Sequence, residues 1–183
     1  MDVFVDVEND DGPWIVIQRR TSGDDDFYRD WDDYKNGFGD LLGNFWIGND
    51  KLHLLTRSMN ILRVELETWD GLKGYAQYST FKVADERYNY KLTVTGFTGN
   101  VTYDAMDFHN GYDFTTRDRD HDVRGDVNCA TRNYGGWWYR DCHTCNLNGL
   151  YKKDNGANDA KAMVWNAFPS RFTPLKKSKM MIQ

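Results

Sequence analysis

Hydrophobic and polar positions alternate most cleanly from Leu62 to Thr68. There Leu62, Val64, Leu66 and Thr68 interleave with Arg63, Glu65 and Glu67. Successive strand side chains point to opposite faces, so a period of two predicts a half-buried strand. Trp14 to Arg20 reads as a second strand, with Trp14, Val16 and Gln18 on one face. Tyr75 to Val83 and Tyr90 to Thr95 extend the series and predict an antiparallel sheet in the middle of the chain. Asp30 to Asn36 reads as a short helix stopped by Gly37. A second short helix starts at Asn49 or Asp50, either of which can cap free N–H groups. Leu52, Leu55 and Met59 then fall on one side of it. Beyond Gly96 the periodicity fades, and Asp104 to Asn158 mixes rings, glycines and polar residues without a repeat. A long irregular stretch of this kind points to function or to a bound ion. Lys177 to Gln183 is expected to return to the sheet through Met180 and Ile182.

Composition sharpens that picture. The 183 residues carry 7 Trp, 11 Tyr and 10 Phe, as many rings as there are Ile, Leu and Val together. Of the 28 acids, 24 are Asp. Asp, Asn and Gly favour turns, because they accept left-handed backbone or hydrogen-bond it locally. The chain therefore reads as one loop-rich domain, 1–183, with an aromatic core, not a helical bundle or a disordered segment. A net charge of −5 argues against nucleic acid and anionic membrane surfaces as partners. No apolar run approaches the roughly 20 residues of a membrane-spanning helix, and no signal peptide is visible.

The sharpest local pattern is Asp118-Arg119-Asp120-His121-Asp122-Val123-Arg124-Gly125-Asp126. Alternating carboxylates in a loop supply the hard oxygens that Ca²⁺ prefers, although an EF-hand fails, with Val123 at its sixth position and Cys129 at its twelfth. The competing reading is a solvated acidic loop neutralised by Arg117, Arg119 and Arg124. The three cysteines permit one bridge and one leftover thiol. A Cys129–Cys142 bridge stands beside two other readings of Cys142-His143-Thr144-Cys145, a zinc site and a redox motif, and both of those lack their usual context. Arg124-Gly125-Asp126 spells an integrin-recognition tripeptide, and Asn100-Val101-Thr102 is a glycosylation sequon. No assembled nucleophile or acid–base pair suggests an enzyme. The isolated His53 reads as structural.

Longer motifs carry a resemblance. Trp14-Ile15-Val16-Ile17-Gln18-Arg19-Arg20, Asp26-Phe27-Tyr28-Arg29-Asp30-Trp31, Tyr34-Lys35-Asn36-Gly37-Phe38-Gly39 and Phe45-Trp46-Ile47-Gly48-Asn49-Asp50-Lys51 occur in that order. Asn128-Cys129-Ala130, Gly136-Trp137-Trp138-Tyr139, Cys142-His143 and Asn146-Leu147-Asn148-Gly149 follow. From about Gly12 to Ile182 the chain resembles the fibrinogen C-terminal-like domain, nearest in pocket character to ficolin- and tachylectin-type lectins. The resemblance implies an α+β fold. A central twisted antiparallel sheet with short helices would support a loop-rich C-terminal calcium and ligand subdomain over 97–176.

By the same resemblance, Ca²⁺ binds the side chains of Asp120 and Asp122 and carbonyls of Arg124 and Asp126, with Asp118 in support. Cys129 pairs with Cys142, and the Cys142–His143 bond is cis. The ligand pocket carries over to Asn133 or Tyr134, His143, Asp159, Ala160 and Phe172. Ala160 agrees with lectin-like members, whereas fibrinogen's peptide-binding hole has an acid there. Asp159 stands where acetyl-binding relatives place a ring, so it suits a sugar hydroxyl or a cationic peptide. The family's N-terminal cysteine pair is absent, with Val5 near its second position, which implies a truncated N-terminal segment. Cys145 replaces a small polar residue and is expected to be free or to join subunits. Pro13 replaces a common glycine. The function implied is a secreted, calcium-dependent or calcium-stabilised lectin for N-acetylated glycans in innate immunity, glycosylated at Asn100 and oligomeric in a longer native form. The alternative is a protein-binding or adhesion module for a peptide or cell-surface receptor, as in fibrinogen or the angiopoietins.

Overall fold

The alternation at Leu62 to Thr68 folds as a strand, β5 (Leu62–Thr68), whose apolar positions and Thr68 are buried while the charged ones are half-buried. The computed structural model describes residues 2–8 and 12–183. The other strands are β1 (Phe4–Asp6), β2 (Trp14–Arg20), β3 (Phe38–Gly39), β4 (Phe45–Trp46), β6 (Lys73–Val83), β7 (Leu92–Gly99), β8 (Cys145–Asn146), β9 (Val164–Trp165) and β10 (Leu175–Ile182). Three α-helices, α1 (Trp31–Asn36), α2 (Asn49–Leu55) and α3 (Cys129–Asn133), join them. Eight strands form one antiparallel sheet in the order β3-β4-β2-β10-β5-β6-β7, with β1 also paired to β2. The last strand thus lies between β2 and β5, and β8 pairs with β9 separately.

Several boundaries differ from the sequence pattern. β6 begins at Lys73 and β7 runs on to Gly99, whereas Tyr90 lies outside the strand with a φ of 52°. Met59 follows α2 in a turn, its N–H donating to Leu55 O at 2.9 Å. Opposite β10 the register slips between Met180 and Met181, so Ile17 of β2 is skipped. A bulge of this kind breaks strict alternation, and Val16, Ile17 and Gln18 are all buried.

The rings fill the space between sheet and C-terminal loops. Trp138 packs 5.2 Å from Phe114 and 6.0 Å from Trp46, and Tyr34 lies 5.2 Å from Phe114. Their polar atoms find partners: Trp138 Nε1–H donates to Tyr90 O at 2.8 Å, and Trp46 Nε1–H to Asn49 Oδ1 at 3.0 Å. Two polar side chains of β2 then pin the irregular half to the sheet. Gln18 Nε2 donates to Leu147 O at 2.9 Å, and Arg20 Nη1 donates to Gly149 O at 2.9 Å. The Arg20 guanidinium stacks 3.9 Å from the Phe27 ring, and burial brings its pKa down to about 10.

Candidate functional site

The acidic run splits into groups with different tasks. Asp118 turns back to α1, accepting from the Trp31 N–H at 2.9 Å and from the Thr116 hydroxyl at 2.7 Å. Asp122 is held by the backbone, accepting from Cys129 N–H and Arg124 N–H, each at 2.8 Å. Asp120 Oδ1 accepts from Asp122 N–H at 3.2 Å. None of the three arginines forms an ion pair with Asp120 or Asp122. Arg117 meets Asp30 at 2.5 Å, Arg119 faces Asp32 and Glu86, and Arg124 meets Asp126 at 2.7 Å and Asp141 at 3.3 Å. Burial, with the Asp120 carboxylate alongside, pushes Asp122 up to about 6. An exposed Asp120 and a partly buried Asp122, neither in an ion pair, fit a hard divalent ion completed by carbonyls and water. Among the described residues no group of three or more His, Cys, Asp or Glu side chains is arranged to hold a metal. Arg124 and Asp126 close the integrin-type tripeptide upon itself, because its two charges pair with each other.

Beside this loop, a disulfide joins Cys129 to Cys142. It ties α3, whose N-terminus is capped by Asn128 Oδ1, to the turn that carries His143. A cis bond does occur here, but it precedes the cysteine, at Asp141–Cys142, and does not follow it. His143 Nε2–H donates to Ala160 O at 2.8 Å, and its ring lies 5.4 Å from Phe172. A carbonyl can only accept, so Nδ1 is left as a buried lone-pair acceptor without a partner. Burial lowers the His143 pKa to about 4, so the ring is neutral at pH 7. Asp159 N–H donates to Phe172 O at 2.9 Å, which draws 159–160 and 172 together around the imidazole.

The remaining expected residues are placed differently. Tyr134, left-handed at φ 57°, ends α3 and packs 5.2 Å from Tyr28, with Lys161 Nζ 5.7 Å from its ring centroid. Asn133 is buried and spends its amide on Cys129 O at 2.8 Å. Lys152 pairs with the Asp159 carboxylate and offsets its charge. Cys145 is free but fully buried, with Sγ 3.4 Å from Met106 Sδ and 3.5 Å from Ala105 O, so the expected route to joining subunits through it is closed. The structure thus brings His143, Asp159, Ala160 and Phe172 together, sets Tyr134 at the side and buries Asn133. Sequence reasoning missed Lys152, Lys161 and His109. A lysine near an acid in sequence gives no sign of pairing in a stretch without periodicity.

Two hollows lie elsewhere. One, of about 690 Å³, crosses the outer face of the sheet and includes Tyr75, Asn100 and Lys179. The other, of about 280 Å³, lies between Asp24–Asp26 and Tyr151, and Tyr134 is the expected site residue on its wall.

Fold and site together define a sheet-based globe with a loop-rich half, a class of binding domain. Residues 1–183 match the family described as fibrinogen beta and gamma chains, C-terminal globular domain, and the chain belongs to that family of non-enzymatic binding modules. It is 42% identical over its whole length to human angiopoietin-related protein 7, covering 53% of that protein. It is 44% identical over 89% of its length to ryncolin-4 of Cerberus rynchops, covering 47% of it. The chain spans about half the length of these curated relatives. The fibrinogen-like globe domain of human ANGPTL2 superposes with a TM-score of 0.93 at 40% identity, over 100% of this chain and 85% of that one. Lamprey fibrin D-dimer, solved with the peptide Gly-His-Arg-Pro-amide, superposes with a TM-score of 0.88 at 33% identity, over 98% of this chain and 63% of that one. The resemblance to the fibrinogen C-terminal-like family holds, and the curated relatives matched over the whole chain are angiopoietin-related proteins, not the ficolin- and tachylectin-type lectins expected from pocket character.

Proposed function

We propose that this chain is a single secreted globe domain that binds a peptide or protein ligand through the face around His143, Phe172, Asp159, Ala160 and Tyr134. The observation that carries the reading is similarity over the whole of this chain to part of the angiopoietin-related proteins, joined by a peptide-bound structural neighbour. The chemistry of the face agrees. An acetyl carbonyl needs a donor, whereas neutral His143 spends its one N–H on Ala160 O. Phe172 supplies an apolar wall beside it. The disulfide suits an oxidising compartment, and among the described residues no helix is long and apolar enough to cross a membrane. In this reading Ca²⁺ sits on Asp120 and Asp122, with carbonyls of Arg124 and Asp126, and supplies charge that orders the loop beside the binding face.

The test is a binding survey of the purified chain in calcium, against peptides with free N-termini and against an array of N-acetylated glycans. Peptide binding that weakens about tenfold in Phe172→Ala is expected, the loss of one well-packed aromatic contact. Binding confined to acetylated glycans overturns the reading in favour of a lectin.

A further inference from the structure

The sequon Asn100-Val101-Thr102 follows β7, and Asn100 lines the hollow on the outer face of the sheet, which does not include His143. Gly99 brings it there. Its φ is 146°, and a Cβ at that position would stand 2.3 Å from Tyr75 O, so the close approach of β7 to β6 requires glycine. Asn100 N–H then donates to Tyr75 O at 3.1 Å, and Tyr75 N–H donates to Asn100 Oδ1 at 2.7 Å. The amide oxygen is thereby held against the backbone of β6. Nδ2, the atom that N-glycosylation modifies, is left on the other side of an exposed residue.

The hollow suits what would grow from that atom. The Tyr75 ring lines it, with Arg63 4.2 Å from the ring centroid. Much of its charged floor is internally paired. Lys179 meets Asp6 at 2.5 Å and Glu65 at 2.9 Å, Lys177 meets Glu67 at 3.1 Å, and Arg63 meets Glu65 at 3.0 Å. Paired charges project little net field, so they do not select a polyanion. They do present donors and acceptors, which is what a neutral polyhydroxylated chain needs.

We propose that Asn100 carries an N-linked glycan whose first N-acetylglucosamine packs on Tyr75 and whose further sugars cross this paired-charge floor. The proposal rests on the secreted reading above. Asn100 Nδ2 bonds to C1 of a lipid-diphosphate-linked oligosaccharide, gives up one proton, and the lipid diphosphate leaves. The apolar C–H face of the first sugar then covers ring surface that water would otherwise meet.

The experiment uses the chain secreted by cultured animal cells. Intact mass reads the occupancy of Asn100, and thermal melting compares three forms: intact, trimmed by an endoglycosidase to the first sugar, and fully deglycosylated. The trimmed form is expected to keep the intact Tm and full removal to lower it by roughly 2–4 °C. In the Tyr75→Ala background that difference should fall below about 1 °C. Thr102→Ala, which blocks modification and keeps Asn100, should melt like the fully deglycosylated chain. A chain that is secreted but unmodified overturns this proposal and leaves secretion standing, and a chain retained without glycan overturns both. A glycan whose removal changes Tm equally with and without Tyr75, or not at all, overturns the docking.

Discussion

Burial of His109 forces a choice of tautomer. Its Nδ1–H donates to Trp138 O at 2.7 Å, so Nε2 keeps the lone pair that accepts from the N–H groups of Thr144 and Cys145, each at 3.3 Å. Protonation would set a donor against two donors in a dry site. Burial, opposed only in part by the Trp138 carbonyl, lowers the pKa to about 3. The sign follows from linkage: the unfolded chain takes a proton near pH 6.5, the folded one not until about 3, so stability falls as pH drops through that window. At pH 5 the loss is about 2 kcal/mol for this residue, and His143, lowered to about 4, behaves in the same way. His109→Gln is expected to be less stable at pH 7 yet to lose less between pH 7 and pH 5, measured by urea unfolding. An equal loss in both proteins would contradict the buried neutral tautomer. No sequence signal marked this histidine, because its partners lie 29, 35 and 36 residues away. Cys145 was marked for its unusual identity, but its burial depends on Ala105 and Met106, and no spacing rule brings those together.

Elements were legible in proportion to their length and regularity. β5 could be read almost residue by residue, because one buried face enforces a period of two over seven positions. The two-residue strands β3, β4, β8 and β9 are too short to show a period. The helix at Asp30 was visible from its composition, but the group that caps it was not. Asp30 has extended N-cap backbone yet makes no side-chain cap bond and pairs with Arg117, while Asp118 Oδ1 accepts the Trp31 N–H from 87 residues away. An N-terminal N–H with no intrahelical partner is worth about 1 kcal/mol when capped. Asp118→Ala is therefore expected to lower Tm by roughly 2–4 °C, and Asp30→Ala, which removes an exposed ion pair, by less. Scanning calorimetry of both variants checks the order, and a larger loss at Asp30 would assign the cap to the wrong carboxylate.

At the scale of the whole molecule, the sheet and the irregular half depend on each other through buried side chains that cross between them. Insertion of β10 between β2 and β5 returns the chain to the sheet after the long excursion from β7, and no local pattern announces that strand order. The excursion has little regular structure, so its backbone is ordered by Gln18 and Arg20 of β2, the Trp137–Trp138 rings and the Cys129–Cys142 bridge. These clasp its inner side. The outer loop 118–128 is tied down by Asp118, His121, Val123 and Asn128, and neither Asp120 nor Asp122 forms an ion pair with a cationic side chain. An ion there would offset their repulsion and the ordering entropy together. Calcium at about 100 times its dissociation constant adds roughly 2.7 kcal/mol, so EDTA is expected to lower Tm by roughly 5–10 °C at neutral pH. Asp122→Asn should abolish the shift, because it removes a direct carboxylate. Asp126→Ala should retain it, because the exposed Asp126 side chain pairs with Arg124 and only its carbonyl faces the ion in this scheme. An unchanged Tm in EDTA would leave the two carboxylates unexplained, and a shift lost in Asp126→Ala but kept in Asp122→Asn would move the ion from the buried side of the loop to its rim.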